Sequence, residues 1–293
     1  MPVTGGILWQ RGRHVLVDMG EKRQRIDKAI FVGSWSPHNW FHWTIDTLPG
    51  VWLSSLLPEE FADFPILLPE ESLRKPSWIE PFELVRAGRK VITLPHDQYV
   101  KVKDLIWINS PTSPGPLPSF DQGGPRYSLH GSAIKAYRAH IIESLGIDEL
   151  SIRQTDKIYI ARAPETNRPD NQDELIEIAK KFGFRAVYFE RMSLREAVHT
   201  MLGARELVGP HGAGWANALY CKPGVEAFMW TWAASKPDNW FANIASVRDM
   251  DFKVSADMER FDQVWRFSPA KLSGYLEERG NSESPTNPKR VTT

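Results

Sequence analysis

An alternation of short apolar runs and amphipathic segments between residues 157 and 230 constrains the fold of this chain most strongly. The runs predicted as strands are Lys157–Ala161, Ala186–Phe189, Leu207–Gly209 and Val225–Trp230. Helical patterns separate them: one from Asp170 or Asn171 to about Phe182, one opening at the Ser193–Glu196 capping box, and one ending near Cys221. Strands and helices that alternate with short loops favour a parallel, doubly wound α/β sheet.

The segment Val208–Asn217 places a glycine-punctuated loop between a predicted strand and a predicted helix. Gly212 and Gly214 carry no side chain that would keep backbone N–H groups away from an anion. The N-terminus of the following helix adds a positive partial charge, and His211 supplies a further donor or charge. A tightly packed turn needs the same glycines, so the loop alone does not separate packing from anion binding.

Two arginines follow the first of these strands. Arg162 leaves the strand directly, and Arg168 lies six residues later in a proline-rich loop. Guanidinium groups suit the oxygens of a phosphate or diphosphate, although pairing with Glu165 or Asp170 would also account for them. Ligands of open α/β sheets bind beyond the carboxyl ends of the strands, where both this loop and the His211 loop fall. Together, the two loops favour anion binding.

A second group of polar residues lies in the first half of the chain, after the apolar run at residues 29–32. Asn39, His42 and Asp46 are spaced so that a helix brings them to one side. A histidine and an aspartate one turn apart predict either an oriented acid/base pair or a structural hydrogen bond. The spacing does not decide which residue of such a pair would be the base, although Asp46 is slightly preferred.

Tryptophan is abundant, with 12 residues in 293. Aromatic rings can stack on the apolar face of a sugar, but most are expected in the core. The residues next to the candidate site are the ones to consider as substrate contacts: Asn39, Trp40, Trp43 and Trp215.

Composition narrows the functional class. The formal net charge is zero, which gives no support for a nucleic-acid binder. The single cysteine, Cys221, excludes an internal disulfide and favours a reducing, cytoplasmic location. The chain shows no leader pattern and no transmembrane stretch, so it is expected to be soluble or peripheral to a membrane. Asp249-Met-Asp251 has a metal-binding form but is expected on a solvated surface, and no zinc-type spacing occurs.

Taken in order, these segments resemble glycosyltransferase family 61. The resemblance covers roughly Ile30 to Phe267. It is carried by the run Asn39-x-Phe-His-Trp-x-x-Asp46, the strand ending in Ile-Ala-Arg162, the segment Arg168–Glu174, the Ser193 helix and Val208-Gly-Pro-His-Gly-Ala-Gly-x-x-Asn217.

The resemblance implies a GT-B-like α/β architecture, with two Rossmann-like doubly wound domains facing a cleft. It implies an acceptor-side domain over residues 1–147 and a nucleotide-sugar domain over 148–279, with a helix at 269–279 returning to the first. Residues 280–293 are expected to form a disordered tail.

Members of this family are expected to transfer a sugar from a nucleotide sugar, here expected to be UDP-linked, with inversion and without metal or another cofactor. The acceptor would be a glycan or glycoconjugate, as in polysaccharide biosynthesis. The resemblance assigns the donor diphosphate to Arg162, Arg168, His211, Gly212, Ala213, Gly214 and Asn217, and it turns His42 and Asp46 towards the reacting centre.

Two positions depart from the family pattern. Ala197 stands where a glutamine is usual, and Met229 or Trp230 aligns with the acidic residue expected to bind the donor ribose, with Glu226 close by. These departures leave open a catalytically silent binder of nucleotide sugars or sugar phosphates. Composition leaves open, as a further alternative, a transferase acting on modified DNA or protein.

Overall fold

Two parallel sheets organise the chain in the computed structural model. The structure describes residues 7–11, 14–17, 21–33, 38–95, 98–114, 127–166, 168–232, 239–261 and 264–282. These residues group into two units. Unit 1 contains the described residues up to 149 together with Ser193–Arg195, and unit 2 contains the others from 150 onward.

Among its described residues, unit 1 holds eight strands and four helices. They are β1 (Ile7–Arg11), β2 (His14–Val17), β3 (Glu21–Phe31), α1 (Trp40–His42), α2 (Leu48–Ser54), β4 (Ile66–Pro69), α3 (Pro76–Val85), β5 (Val91–Leu94), β6 (Gln98–Trp107), β7 (Thr112–Pro114), β8 (Tyr127–Leu129) and α4 (Gly131–Ser144). A π-helical turn, Trp43–Thr47, joins α1 to α2. Short 3₁₀ turns lie at Glu59–Phe61, Glu70–Leu73 and Glu149–Ser151.

The central sheet of unit 1 has four parallel strands in the order β5-β4-β3-β6. Strand β4 and the end of β3 are apolar and buried, as is usual in parallel sheets. Ile30 pairs in register with Ile66 on one side and Ile106 on the other. Gly50 of α2 lies close to Val32, since a Cβ on Gly50 would meet Val32 Cγ1 at 2.7 Å. Two antiparallel pairs, β1–β2 and β7–β8, complete the strands of the unit's described residues.

Unit 2 holds six strands and four helices among its described residues. They are β9 (Asp156–Ile160), α5 (Gln172–Lys181), β10 (Arg185–Val187), α6 (Leu194–Gly203), β11 (Ala204–Pro210), β12 (Glu226–Trp232), α7 (Asn239–Val247), β13 (Asp251–Phe261), β14 (Val264–Arg266) and α8 (Pro269–Ser282). Two 3₁₀ helices, Phe189–Arg191 and Ala213–Tyr220, follow β10 and β11.

The sheet of unit 2 runs β10-β9-β11-β12-β13-β14, and only the β13–β14 pair is antiparallel. Its core packs α5 and α8 against the strands through Leu175, Ile176, Leu272 and Leu276. Strand β10 lies on one side of β9, and β11 and the later strands lie on the other side. The strand order therefore reverses between β9 and β11. In unit 1 the same reversal falls between β3 and β6. Each unit therefore has a Rossmann-like switch point, where ligands of such sheets bind.

The predicted alternation of strands and helices is confirmed, with differences at the ends of elements. The strand predicted at Leu207–Gly209 is longer, because β11 pairs with both neighbours from Ala204 to Pro210. The strand predicted at Ala186–Phe189 is shorter, because Phe189 begins a 3₁₀ turn. Asn171 occupies the N-cap position of α5, but its amide pairs with the backbone of Phe267 instead of capping the helix.

The final helix belongs to the core of unit 2, where α8 packs against α5. It also continues to Ser282, past Gly280, where the sequence predicts a disordered tail. Residues 115–126 and 283–293 lie outside the described residues.

Candidate functional site

The glycine-punctuated loop follows β11 at the switch point of unit 2. Gly209 must be glycine, because a Cβ there would lie 2.7 Å from the backbone oxygen of Ile160 in β9. Close packing of β11 on β9 therefore accounts for one glycine of the motif. Beyond it, the chain passes through Gly212 into the 3₁₀ helix Ala213–Tyr220. The first backbone N–H groups of a helix have no partner within it, so they remain to bind an anion.

Arg162 lies against this loop, as the sequence predicts. Its Nη1 donates to the carbonyl oxygen of His211 at 3.2 Å. A Cβ on Gly212 would come 3.2 Å from the same Nη1, so the glycine makes room for the guanidinium. The structure thus brings the arginine that ends β9 and the loop that follows β11 to one place.

The electrostatic state of Arg162 favours an anionic ligand. The side chain is partly buried, and burial lowers the pKa of the guanidinium, partly opposed by the charge of Glu190. A guanidinium keeps its charge in proteins. Among the described residues, no carboxylate forms an ion pair with Arg162. A partly desolvated cation without an ion-pair partner gains most from binding an anion.

Gln172 hydrogen-bonds to the backbone of Arg162, a contact that the sequence does not predict. The side chain is fully buried at the start of α5. Its Oε1 accepts from Arg162 N and its Nε2 donates to Arg162 O, both at 2.8 Å. The amide therefore satisfies both backbone groups of the residue just beyond β9. A glutamine at the start of a helix gives no sequence signal for such a contact.

Arg168 pairs with a carboxylate of α5. Its Nη1 pairs with Asp173 Oδ1 at 3.1 Å, and no contact joins it to Arg162 in the part of the chain that the structure describes. Neither expected alternative partner holds it: Glu165 pairs with Arg191, and Asp170 N donates to Trp265 O.

His211, Ala213, Gly214 and Asn217 lie together in the loop and its 3₁₀ helix. The backbone N–H of His211 donates to Trp230 O at 2.8 Å, and its ring packs edge-on against Trp232 and Phe241. Asn217 Nδ2 donates to Gly214 O at 2.9 Å. Its Oδ1 is buried without a hydrogen-bond partner in the described part of the chain. These contacts hold the loop and its 3₁₀ helix in place.

Trp215 is a core residue, contrary to the expectation of substrate contact. It is 1% exposed, and its Nε1 donates to Pro210 O at 2.9 Å. The same correction applies to Trp43 in unit 1, which is 0% exposed and stacks on Trp78. A sugar could reach either indole only by displacing this packing.

The carboxyl end of β12 carries aromatic residues where the family pattern has an acid. Trp230 is buried and stacks on Phe267, and Met229 is buried beside it. Glu226 begins β12, so it lies at the opposite edge of the sheet from His211, and it pairs with Arg279. Ala197, which stands where the family pattern has a glutamine, is buried in α6.

In unit 1, His42 and Asp46 lie on the helical segment that follows β3, at the switch point. His42 Nδ1 and Asp46 Oδ2 are 2.6 Å apart, and the residues are 2% and 4% exposed. The π-helical turn Trp43–Thr47 contains Asp46. Such turns often mark functional sites. The predicted pairing of the two residues on one helical segment is therefore present.

The loop after β6 completes this group with two hydroxyls. Thr112 Oγ1 donates to Asp46 Oδ1 at 2.6 Å, and Ser110 Oγ donates to Asp46 O at 3.0 Å. The two hydroxyls are themselves 2.6 Å apart. Both oxygens of the Asp46 carboxyl are thus engaged within the protein. Burial raises the pKa of Asp46, against the opposing hydrogen bonds from His42 and Thr112.

Asn39 and Trp40 stand at the start of the same segment. Asn39 Oδ1 accepts from Phe41 N at 2.8 Å as an N-cap, so this oxygen serves the helix. Trp40 is partly buried, and its ring centroid lies 6.0 Å from that of Trp78. Trp40 remains a candidate substrate contact.

A cavity of about 530 Å³ within unit 1 adjoins Ser110 and Thr112, the residues whose hydroxyls bond to Asp46. Its lining residues come from α2, the loop after β6, β8 and the start of α4: Leu53, Asn109, Ser110, Pro111, Thr112, Ser128, Leu129, His130 and Ala133.

Neither a metal cluster nor a membrane span is seen among the described residues. No three His, Cys, Asp or Glu side chains within them lie together as metal ligands. Asp249 and Asp251 are both exposed, at the start of β13, on the edge opposite the His211 loop. None of the helices described is both long and apolar enough to span a bilayer.

The switch points define a Rossmann-like α/β protein with a glycine-punctuated loop beside Arg162 in one unit and a buried His–Asp pair in the other. A family model for Glycosyltransferase 61 matches residues 40–228, which include both sites. The chain belongs to glycosyltransferase family 61 and is a glycosyltransferase. Comparison with curated proteins gave no match.

Proposed function

We propose that this protein is an inverting, metal-independent glycosyltransferase that moves a sugar from a UDP-linked donor to a hydroxyl of a glycan or glycoconjugate. The observation that carries the proposal is the Arg162 guanidinium, which lies against Gly212 without a carboxylate partner among the described residues. The donor diphosphate is its ligand in this proposal.

Positive charge and backbone amides take the role that a divalent cation plays in other transferases. As the bond from the sugar C1 to the diphosphate oxygen breaks, the electron pair leaves with the nucleotide. Arg162 and the first N–H groups of the Ala213–Tyr220 helix stabilise that negative charge. This accounts for leaving-group stabilisation without a metal.

His42 is the general base in this proposal. Asp46 accepts from Thr112 with one oxygen and contacts His42 Nδ1 with the other. An ionised Asp46 fixes the tautomer in which Nδ1 carries the proton, so Nε2 is the basic atom. Nε2 takes the proton of the acceptor hydroxyl while its oxygen attacks C1 from the side opposite the nucleotide. Asp46 then stabilises the imidazolium.

The domain arrangement and cellular setting are part of the same proposal. Each unit carries its candidate groups at the carboxyl edge of its own sheet, which is what a GT-B arrangement with facing edges requires. A polysaccharide or another glycoconjugate is the proposed product. The buried free thiol of Cys221 suits the cytoplasm.

Nucleotide binding tests the donor site. UDP, other nucleoside diphosphates and nucleotide sugars are added in EDTA or Mg²⁺, and unfolding is followed by thermal shift. A ligand at 100 times its Kd stabilises the fold by roughly 2.7 kcal/mol. We expect UDP to stabilise the wild type equally in EDTA, and Arg162→Met to lose the effect. Arg185→Met is the matched control, because Arg185 starts β10 at the opposite edge. No stabilisation by any nucleotide would contradict the proposal.

The stereochemistry of the product tests the mechanism. With the donor that binds and an acceptor that is turned over, proton NMR of the anomeric region shows the configuration of the first product. Inversion in the presence of EDTA is the expected result. Retention, or turnover only with Mg²⁺, would overturn that part of the proposal.

A further inference from the structure

We propose that the cavity beside Ser110 and Thr112 is the subsite for a neutral sugar of the acceptor. The inference rests on the proposed function, because it assigns an acceptor to the unit that carries His42 and Asp46. The volume of about 530 Å³ lies within the range of about 300–1,000 Å³ typical of ligand pockets.

The position of the cavity ties it to the reacting centre. Ser110 and Thr112 form part of its wall, and both hydroxyls bond to Asp46. A sugar in the cavity therefore lies next to Thr112, which touches the carboxylate. The reacting hydroxyl, on this sugar or on an adjoining one, is the one that His42 deprotonates.

The wall is held by backbone structure rather than by loose side chains. Strands β7 and β8 pair directly across Thr112 and Leu129. His130 N donates to Pro111 O at 2.7 Å, and His130 Nδ1 accepts from Ala133 N at 3.3 Å at the start of α4. Such a frame positions a ligand at low entropic cost, because little needs to be ordered on binding.

The chemistry of the lining selects a neutral carbohydrate. Leu53, Pro111, Leu129 and Ala133 offer apolar surface to the C–H face of a sugar, while Asn109, Ser128 and His130 offer hydrogen-bonding groups to its hydroxyls. No Lys, Arg, Asp or Glu is among the described residues that line the cavity. A charged acceptor would lose water there without gaining a full counter-charge.

The experiment measures binding of methyl glycosides by saturation-transfer NMR, alone and with UDP. The panel contains neutral hexoses and pentoses and the matching uronic acids. Ala133→Trp fills the cavity from α4. Ala136→Trp is the matched control, because Ala136 is exposed one turn further along the same helix. Asn109→Ala, in an exposed loop, removes one polar group with little risk to the fold.

We expect at least one neutral glycoside to bind the wild type and Ala136→Trp. Its signal should fall at least about tenfold in Ala133→Trp and several-fold in Asn109→Ala. Binding that survives Ala133→Trp, a preference for the uronic acids, or no neutral glycoside bound in either condition would overturn the proposal. Failure of the proposed function is seen separately, as the absence of UDP binding to the wild type.

Discussion

The polar groups at the two switch points differ in their burial and in how fully other protein groups pair with them. In unit 1, the Asp46 carboxyl is 4% exposed and both of its oxygens have protein partners. In unit 2, Arg162 is only partly buried, has one carbonyl partner and has no ion pair among the described residues. A closed network fixes protonation and orientation, which suits proton transfer. An open cation suits the binding of an anion. The same sheet architecture therefore carries a closed network at one switch point and an open cation at the other.

The largest expected effect comes from removing His42, the proposed base. His42→Ala should lower kcat by about 10²–10⁴-fold, the usual contribution of general base catalysis, and leave UDP affinity unchanged. Steady-state kinetics and a UDP titration on the same protein measure both. His140→Ala is the control, because His140 lies in unit 1 but contacts Leu84 O and Ser144. A fall in UDP affinity without loss of kcat would reverse the assignment.

The next largest effect is the loss of donor affinity expected when the charge of Arg162 is removed. Arg162→Met keeps much of the side-chain volume and removes the charge. We expect donor Kd to rise roughly 10- to 100-fold, since hydrogen bonds to charged groups contribute about 1.5–3 kcal/mol. Arg168→Met should weaken binding less, because Arg168 pairs with Asp173 and makes no contact with the loop in the described residues. Equal losses in both variants would remove the distinction between the two arginines.

A smaller effect is expected at Gln172, which positions Arg162 through its backbone. Gln172→Met should weaken donor binding roughly 3- to 10-fold. If it acts only through Arg162, the same change made in Arg162→Met should cost no further affinity. A double-mutant cycle of donor Kd values measures this coupling. Additive losses would mean that Gln172 supports the fold alone.

The smallest effect is on stability. Burial raises the pKa of Asp46 in the folded protein, so folding is less favourable when this carboxyl is ionised than when it is protonated. The stabilisation is full below the unfolded pKa and is lost as pH rises through the folded pKa. The amide introduced by Asp46→Asn does not titrate. Urea unfolding from about pH 4 to about pH 8 should therefore show the Asp46→Asn variant gaining stability relative to the wild type as pH rises. A gap that is constant, or that moves the other way, would contradict the raised pKa.

Local sequence patterns predicted the elements that place both sites. Apolar runs with short loops indicated β9 to β12, because strand pairing and helix packing follow the same periodicity. The spacing of His42 and Asp46 indicated their contact, because four residues bring two side chains together on a helix. The position of Arg162 at a strand end indicated its approach to the His211 loop.

Contacts between distant segments could not be predicted. Thr112 lies 66 residues from Asp46 and carries no motif. Trp43 could not be assigned to the core, because its cover comes from Trp78 of α3. The length of β11 depended on pairing with β9 and β12 rather than on its own residues, which include Arg205 and Glu206. In each case, the deciding partner lies on another element.

The decisive experiment measures UDP affinity and turnover on the same variants, because it asks whether the two sites have separate roles. UDP affinity by calorimetry in EDTA, and kcat with the matching donor, are determined for the wild type, His42→Ala and Arg162→Met. We predict that His42→Ala keeps wild-type UDP affinity and loses turnover, and that Arg162→Met loses affinity by roughly 10- to 100-fold. Wild-type UDP affinity in Arg162→Met, or wild-type turnover in His42→Ala, would contradict it.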